Sequence, residues 1–146
     1  MKKTLDEFAT LAREGRGLAL VAVLRADTTI HSSVVNVAVL PHPHSREESV
    51  GFVTYGAVKL RNLRLRPQCT VTVVSGRQWV TVEGTAEIVG PDDQPAWFDQ
   101  GRLPALLREV FSAAGGTHDD WDAYDRVMAE QRRAAVFVSP HRIYGV

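Results

Sequence analysis

Residues 51–67 read GFVTYGAVKLRNLRLRP, an apolar strand that breaks at Gly56 and continues as a short basic helix, which Pro67 ends. A helix that starts directly after a strand brings unpaired N–H groups and a partial positive charge to the end of that strand. Lys59 and Arg61 add full charges close to this helix start. The segment therefore predicts an anion site suited to a phosphate. The alternative is a basic helix face that is only solvated.

Composition narrows the class of protein. The 146 residues suffice for one domain with its own core, and a formal net charge of 0 argues against a protein that binds long nucleic acids. The single cysteine, Cys69, allows neither a disulfide nor a cysteine-based zinc site within the chain. The first residues, MKKTLDE, do not resemble a signal peptide, and the longest apolar run is too short to span a bilayer. We expect a cytoplasmic protein that does not enter the membrane.

The order of predicted elements indicates a mainly β fold. A helix opens the chain with a capping box between Thr4 and Glu7. The apolar run Leu18–Leu24 predicts a strand buried on both faces, and the valine-rich stretch from Ile30 to Leu40 predicts its hairpin partner. Gly84 inside a later strand predicts a bulge or a close backbone approach. The remaining predictions are strands at 50–55, 69–74, 79–89, 134–138 and 142–144, the last two hinged at Pro140, and helices at 104–114 and after a cap formed by Thr117 and Asp120.

Long antiparallel strands with few helices predict a barrel. The chain has no G-x-G-x-x-G after its first strand and no G-x-x-x-x-G-K-[ST], which argues against a Rossmann or P-loop nucleotide domain. We expect one domain over residues 1–146.

Several polar and aromatic residues remain after this assignment. Ser32 and Asn36 share an otherwise apolar strand face that we expect to be buried, where the edge of a bound heterocycle or cross-strand hydrogen bonds would satisfy them. Trp79 opens a strand beside a turn, and it either walls a ligand site across a dimer or packs in a core or interface. His42 and His44 lack a third ligand at a suitable spacing, so we predict no metal site. No catalytic residue can be assigned, since neither a general base nor a Ser-His-Asp set is recognisable.

Several segments along nearly the whole chain match a known protein family. They are HSSVVN at 31–36, GFVT at 51–54 leading into KLRNL at 59–63, WVTVEG at 79–84, HDDW at 118–121, RR at 132–133 and RIYG at 142–145. With these segments the chain resembles the split β-barrel flavin and deazaflavin oxidoreductases, the pyridoxamine 5′-phosphate oxidase-like superfamily. The K-x-R-N-L helix resembles in particular the branch that binds the deazaflavin F420.

The resemblance implies a split β-barrel with flanking helices that forms a homodimer, with sites between the two subunits. It places the cofactor ring against the second strand of one chain and a wall of the partner chain. The cofactor-binding residues that we expect are Thr54, Lys59, Arg61 and Asn62 on the phosphate side, and Ser32, Ser33, Val34 and Asn36 on the ring side, with Trp79 as a wall.

The function implied is an F420-dependent oxidoreductase that transfers a hydride from the reduced deazaflavin to a small conjugated acceptor. The absence of an obvious general base is compatible with this chemistry, because the cofactor carries the reaction and the protein supplies binding and orientation. One alternative is the same barrel holding FMN as an oxidase or a flavin reductase. The other is a non-catalytic protein that binds and carries F420.

Overall fold

A computed structural model describes the whole chain, residues 1–146, and it is mainly β with flanking helices. The strands are β1 (Leu18–Leu24), β2 (Ile30–Pro41), β3 (Glu48–Thr54), β4 (Gln68–Ser75), β5 (Gln78–Val89) and β6 (Ala134–Gly145). The helices are α1 (Leu5–Glu14), α2 (Ala57–Leu65), α3 (Leu103–Ala113) and α4 (Trp121–Glu130), with a 3-10 turn at Gln100–Arg102. None of these helices is long and apolar enough to cross a membrane.

The six strands form a closed antiparallel barrel in the order β1-β2-β3-β6-β5-β4, which confirms the predicted barrel. Alternate residues of each strand point inward, and valine dominates these positions, as in Val21, Val71 and Val82. Helix α1 starts with the predicted capping box, in which Thr4 and Glu7 accept each other's backbone N–H, and it contributes the fully buried Phe8 to the core. The interior is therefore a packed apolar core rather than a ligand cavity.

The outer surface of the barrel is covered on one side only. Helices α3 and α4 pack Leu107, Val110 and Tyr124 against the outward side chains of β2, β3 and β6, such as Leu40 and Phe137. These residues form a second apolar cluster outside the barrel. It closes the β2-β3-β6 side and leaves the β4-β1-β2 side without a covering helix.

The prediction that β1 is buried on both faces is wrong. Inward positions of this strand are buried, while Leu18 and Leu20 on its outward face are exposed. The same outward face continues on neighbouring strands, where Ile30 is 65% exposed and Val34 is 61% exposed. The run is apolar throughout because both faces carry apolar side chains, although only one face is covered within the chain. We call this surface the apolar sheet face; it comprises Leu18, Leu20, Leu24, Ile30, Val34 and Val74.

The last strand differs from the prediction of two pieces hinged at Pro140. Strand β6 runs without a break from Ala134 to Gly145 and pairs with β5 along its length. The ladder shifts register between Glu83 and Gly84, opposite Pro140, which confirms the predicted bulge at Gly84. A bulge accommodates a proline because it relaxes the regular ladder at a residue that has no N–H to donate.

The loop between β2 and β3 is held by a buried histidine. His42 Nε2 lies 2.6 Å from Glu87 Oε1, and Nδ1 accepts the backbone N–H groups of His44 and Ser45 at 3.0 and 3.1 Å. Both ring nitrogens are thus occupied in structural hydrogen bonds. His44 stacks on Trp97 with ring centroids 5.0 Å apart. The H-x-H pair anchors this loop to the barrel wall.

We predict that Gly84→Ala destabilises the fold by about 1–3 kcal/mol, the range for forcing extra atoms into a packed site. A Cβ at position 84 would overlap the backbone carbonyl oxygen of Ser139, which cannot move without breaking the β5–β6 ladder. Urea unfolding should show a lower midpoint. Gly101→Ala is the matched control, since a Cβ there meets only a side-chain oxygen of Asp99 at 3.4 Å. Equal midpoints for the two variants would contradict the bulge geometry.

Candidate functional site

The end of β3 and the start of α2 bring a lysine and a threonine into contact inside the protein. Lys59 Nζ donates to Thr54 Oγ1 at 3.0 Å, and the Gly56 N–H donates to the same oxygen at 3.3 Å. Thr54 is the last residue of β3, and Gly56 is the N-cap of α2. The strand-to-helix connection predicted from the sequence therefore places an ammonium group at the helix start.

Lys59 has no negatively charged partner. Only 4% of the residue is exposed, and the hydroxyl of Thr54 is the only hydrogen-bond partner of its ammonium group. The ring centroid of Phe52 lies 5.7 Å from Nζ. Burial, and secondarily the nearby Arg133 guanidinium, lowers the pKa of Lys59 below its ordinary value. A buried ammonium without a counter-ion is costly unless an anion compensates it.

Arg133 is a second cation of this site, and it is not among the site residues predicted from the sequence. It directly precedes Ala134, which pairs with Thr54 across the β3–β6 ladder. Its Cζ lies 4.0 Å from the ring centroid of Tyr55, and its Nε donates to Gln131 Oε1 at 2.8 Å. Three other arginines, by contrast, bind carboxylates: Arg64 with Asp93, Arg108 with Asp125 and Arg132 with Asp92. Lys59 and Arg133 thus form a pair of cations without an acid, which we call the cation pair.

The other predicted phosphate-side residues of α2 occupy different positions. Asn62 is buried on the same helix face as Lys59, but its Nδ2 donates to the Val58 carbonyl oxygen at 2.9 Å and its Oδ1 accepts from Arg66 Nη2 at 2.8 Å. Its amide is therefore occupied within the chain. Arg61 is exposed and makes no hydrogen bond within the chain. The alternative of a helix face that is only solvated does not hold for Arg64 and Arg66, which bind Asp93 and the Leu24 carbonyl oxygen.

The barrel opens between β2 and β3 beside this cation pair. The β2–β3 ladder ends at the pair Val37–Phe52, although both strands continue. Beyond it, residues 30–36 pair only with β1, and residues 53–54 pair only with β6. Continuing the register would set Ser33 opposite Gly56, but no such pair forms. We call this gap the split.

The free edge of β2 presents backbone groups to the split. The Val37 N–H donates to the Gly17 carbonyl oxygen at 2.7 Å. The backbone groups of Val37 therefore point toward β1. In an antiparallel pair this direction alternates along the strand. The N–H and C=O groups of Ser32, Val34 and Asn36 therefore point away from β1, toward the split.

The predicted ring-side residues lie on both faces of this strand. Ser32, Val34 and Asn36 are exposed on the outer face, so the expectation that Ser32 and Asn36 are buried is wrong, because no helix covers this half of β2. Asn36 Nδ2 donates to the Arg16 carbonyl oxygen at 3.1 Å. Ser33 points to the opposite face, where its Oγ and the Nδ1 of His31 are buried without a hydrogen-bond partner. Buried polar atoms without a hydrogen-bond partner are uncommon in folded proteins.

A cavity of about 460 Å³ adjoins the split. Asn36 of β2 and Val53 of β3 line it from the barrel, and so does Arg133 of the cation pair. Apolar side chains of α3 and α4, such as Phe111 and Met128, form the opposite wall, and no carboxylate lines the cavity. An apolar cavity with a few polar groups is the usual form of a small-molecule site.

The loop before α4 also contributes to this cavity through His118. The Asp120 N–H donates to His118 Nδ1 at 3.0 Å, and Asp120 itself caps α4 by accepting the Ala123 N–H at 3.1 Å. His118 thus stabilises the turn that leads into α4. Thr117 takes no part in the cap, because Asp120 is the residue immediately before the helix.

Trp79 lies away from the cation pair within one chain. It is half-buried on the outer face of β5, next to Val74 of the apolar sheet face, and its ring meets Tyr144 edge-on at 6.1 Å. Its neighbour Val80 pairs with Gly145 at one end of β6, whereas Thr54 pairs with Ala134 at the other end. The structure thus brings Thr54 and Lys59 together, adds Arg133, and leaves Trp79 at the edge of the apolar sheet face.

Comparison with known proteins yields structural relatives only. No protein-family model and no curated protein matches the sequence. A conserved hypothetical protein of Mycobacterium tuberculosis superimposes with a TM-score of 0.69 at 19% identity, covering 98% of this chain and 84% of that one. An F420 reductase gives a TM-score of 0.59 at 20% identity over 87% of this chain and 88% of its own.

Other solved structures of the same shape have different ligands. A pyridoxamine 5′-phosphate oxidase-related, FMN-binding protein of Nostoc punctiforme gives a TM-score of 0.65 at 10% identity, covering 99% of this chain and 86% of that one. A heme-binding protein of Mycobacterium smegmatis gives 0.64 at 16% identity, with 100% of this chain matching 55% of that one. At these identities the likeness establishes the fold alone. The chain shares its barrel fold with these solved structures, one of which is a pyridoxamine 5′-phosphate oxidase-related protein.

Proposed function

We propose that the protein is an F420-dependent oxidoreductase that binds the phosphate group of the cofactor at the cation pair and the deazaflavin ring at the split. The observation that carries this proposal is Lys59, a buried ammonium at a helix start with no acidic partner. Such a group is stabilised by a bound anion, and here the anion would meet a second cation, Arg133, at the same place.

The phosphate side has three kinds of donor. The first N–H groups of α2 lack partners within the helix and add the positive end of its dipole. Lys59 supplies a point charge, and Arg133 supplies a planar guanidinium that suits phosphate oxygens. Thr54 holds the lysine side chain in place through its hydroxyl group. Arg61 is exposed on the same helix and would reach a phosphate only by curling back around the helix.

The ring side offers the donors and acceptors that a deazaflavin edge requires. The backbone N–H and C=O groups of Ser32, Val34 and Asn36 face the split and have no strand to pair with. The partnerless Ser33 Oγ and His31 Nδ1 add buried polar atoms on the same strand. A heterocycle that carries both N–H and C=O groups along one edge fits this pattern, and the adjoining apolar wall would exclude water from its face.

F420 bound there in its reduced form would supply a hydride to a conjugated acceptor, and the proton that completes the reduction would come from water. The residues of this chain would bind and orient the two reactants and exclude water from the site, and they would not act as acid–base catalysts. Holding two reactants in place accounts for a large part of the rate in such reactions.

The choice of F420 rests on the K-x-R-N-L helix and on the likeness in fold to an F420 reductase. FMN is the alternative ligand, because an FMN-binding protein shares the fold and FMN also joins a ring to a phosphate. Carriage of F420 without turnover is the second alternative, since no proton-transfer residue is assigned. Direct titration separates these cases.

We also propose that two copies of the chain associate through the apolar sheet face. Large exposed apolar patches on soluble proteins mark interfaces. The patch lies on β1, β2 and β4, and β2 also borders the split. A second copy seated there would close the open side of the ring site and bring its own Trp79 near that surface.

Lys59→Met should weaken F420 binding by about 1–3 kcal/mol, the range for a charge-assisted hydrogen bond, because it keeps an unbranched side chain of nearly the same length and removes the ammonium group. Tryptophan fluorescence during separate titrations with F420 and FMN measures both affinities, and we expect F420 to bind the unchanged protein more tightly. Arg64→Gln is the control. It removes a positive charge from the same helix, but that charge is already paired with Asp93 and is not available to a phosphate. An unchanged affinity in folded Lys59→Met would refute the phosphate assignment.

The same titrations decide between the alternatives. Micromolar FMN affinity without F420 binding would show that FMN, and not F420, is the cofactor. Loss of reduced-F420 absorbance in the presence of quinones, enones or tetrapyrroles would establish turnover. Tight F420 binding with no acceptor reduced would favour the carrier.

Cofactor affinity should fall as pH rises from neutral toward the ordinary lysine pKa of 10.5. Burial lowers the pKa of Lys59, so this ammonium loses its proton at a lower pH than an exposed lysine, and the phosphate binds the charged form. The stability of the free protein should change in the opposite direction, because between the two pKa values the unfolded chain binds more protons and unfolding becomes less favourable with rising pH. Calorimetric titration and urea unfolding across this range check both trends. Both should disappear in Lys59→Met, and their persistence there would assign them to another group.

Leu20→Glu should convert a dimer into a monomer, because it buries a charge at the centre of the apolar sheet face. Light scattering at micromolar concentration should give twice the 16.1 kDa chain mass for the unchanged protein and the single mass for the variant. Val127→Glu, at an exposed position on α4, which packs on the opposite β2-β3-β6 side, should leave the dimer intact. A single mass for the unchanged protein would contradict the association.

A further inference from the structure

The cavity beside the split has a cation on each side. Arg133 lies on the β3–β6 side, next to Lys59, and Arg16 lies on the β1–β2 side, at the end of the loop that leads from α1 into β1. The proposed cofactor phosphate accounts for Arg133. Nothing in the proposed cofactor site accounts for Arg16.

Arg16 is held in place by its backbone. Its φ angle is +58°, its N–H donates to the Arg13 carbonyl oxygen at 3.2 Å, and its own carbonyl oxygen accepts from Asn36 Nδ2 at 3.1 Å. Gly17 follows with a positive φ, and a Cβ there would approach the Ala114 carbonyl oxygen to 3.0 Å. The guanidinium of Arg16, by contrast, makes no hydrogen bond or ion pair within the chain. Arg16 is thus an exposed residue that lines the cavity, with a fixed backbone and a guanidinium that is free to bind a ligand.

A second cavity meets the first at this arginine. It has a volume of about 420 Å³ and shares Arg16, Ala114 and Gly115 with the first. Its wall is mostly small and apolar, as at Ala12 and Val37, and Arg13 adds another cation. No carboxylate lines either cavity. There is room beyond a ring bound at the split, in an apolar space whose only charges are positive.

We propose that this space binds the hydride acceptor, and that the acceptor is an apolar conjugated molecule with a carboxylate that Arg16 holds. The inference rests on the proposed function, which sets the cofactor on the Lys59 side and leaves the Arg16 side to the second reactant. A guanidinium pairs with a carboxylate through two parallel hydrogen bonds, so Arg16 would fix the orientation of the acceptor as well as its position.

The experiment compares 2-naphthoate with 2-naphthamide, which have the same ring and differ in charge, by calorimetric titration of the full-length protein. We expect the naphthoate to bind more tightly, and Arg16→Gln to weaken naphthoate binding about 10- to 100-fold while leaving the naphthamide unchanged. Arg16→Lys should retain part of the preference. Arg126→Gln, which removes an exposed charge on α4 that lines neither cavity, is the matched control and should change nothing.

Two further arms separate this proposal from the cofactor assignment. Lys59→Met should lose F420 affinity and keep naphthoate affinity, whereas Arg16→Gln should do the reverse. Saturating F420 should leave naphthoate binding intact. Three results would each overturn the acceptor site: equal affinity for the two probes, unchanged naphthoate affinity in Arg16→Gln, or displacement of naphthoate by F420. The phosphate site would still be tested separately, by the F420 affinity of Lys59→Met.

Discussion

The ladder between β2 and β3 stops at Val37 and Phe52 while both strands continue, and the candidate site depends on that interruption. A regular barrel would pair these edges completely and leave no backbone group for a ligand. Here β3 instead ends in Thr54 and turns into α2, which carries Lys59 into the gap. The closed hydrogen bonding of the other strands holds the two separated edges at fixed positions.

Charge pairing distinguishes structural cations from candidate binding cations. Arg64, Arg108 and Arg132 each bind an aspartate on another segment and tie helices or loops together. Lys59 and Arg133 are at least partly buried, lie near each other and have no acid between them. Burial lowers the pKa of both groups, which expresses the cost of two desolvated like charges. Their repulsion is relieved by an anion between them.

Local patterns in the sequence were sufficient to predict the strands of the barrel, the capping box and the helix start that precedes Lys59, since each depends on residues close together in the chain. The bulge at Gly84 followed from a glycine within a strand. The role of Arg133 could not be predicted, because its nearness to Lys59 arises from the β3–β6 register, which joins residues about eighty positions apart. The error at β1 has another cause: an apolar run does not tell whether its second face is covered by the same chain.

Strand β2 has two separate roles: its side chains contribute to the apolar sheet face, and its backbone groups line the split. Over residues 30–36 the side chains at alternate positions form part of the apolar sheet face, while the N–H and C=O groups of the same residues face the split. Any substitution that preserves the strand preserves these backbone groups, since every residue except proline carries both. The pattern offered to a ligand is therefore insensitive to sequence drift. Lineages of this fold can diverge in sequence and in mode of association while this edge keeps the same donors and acceptors.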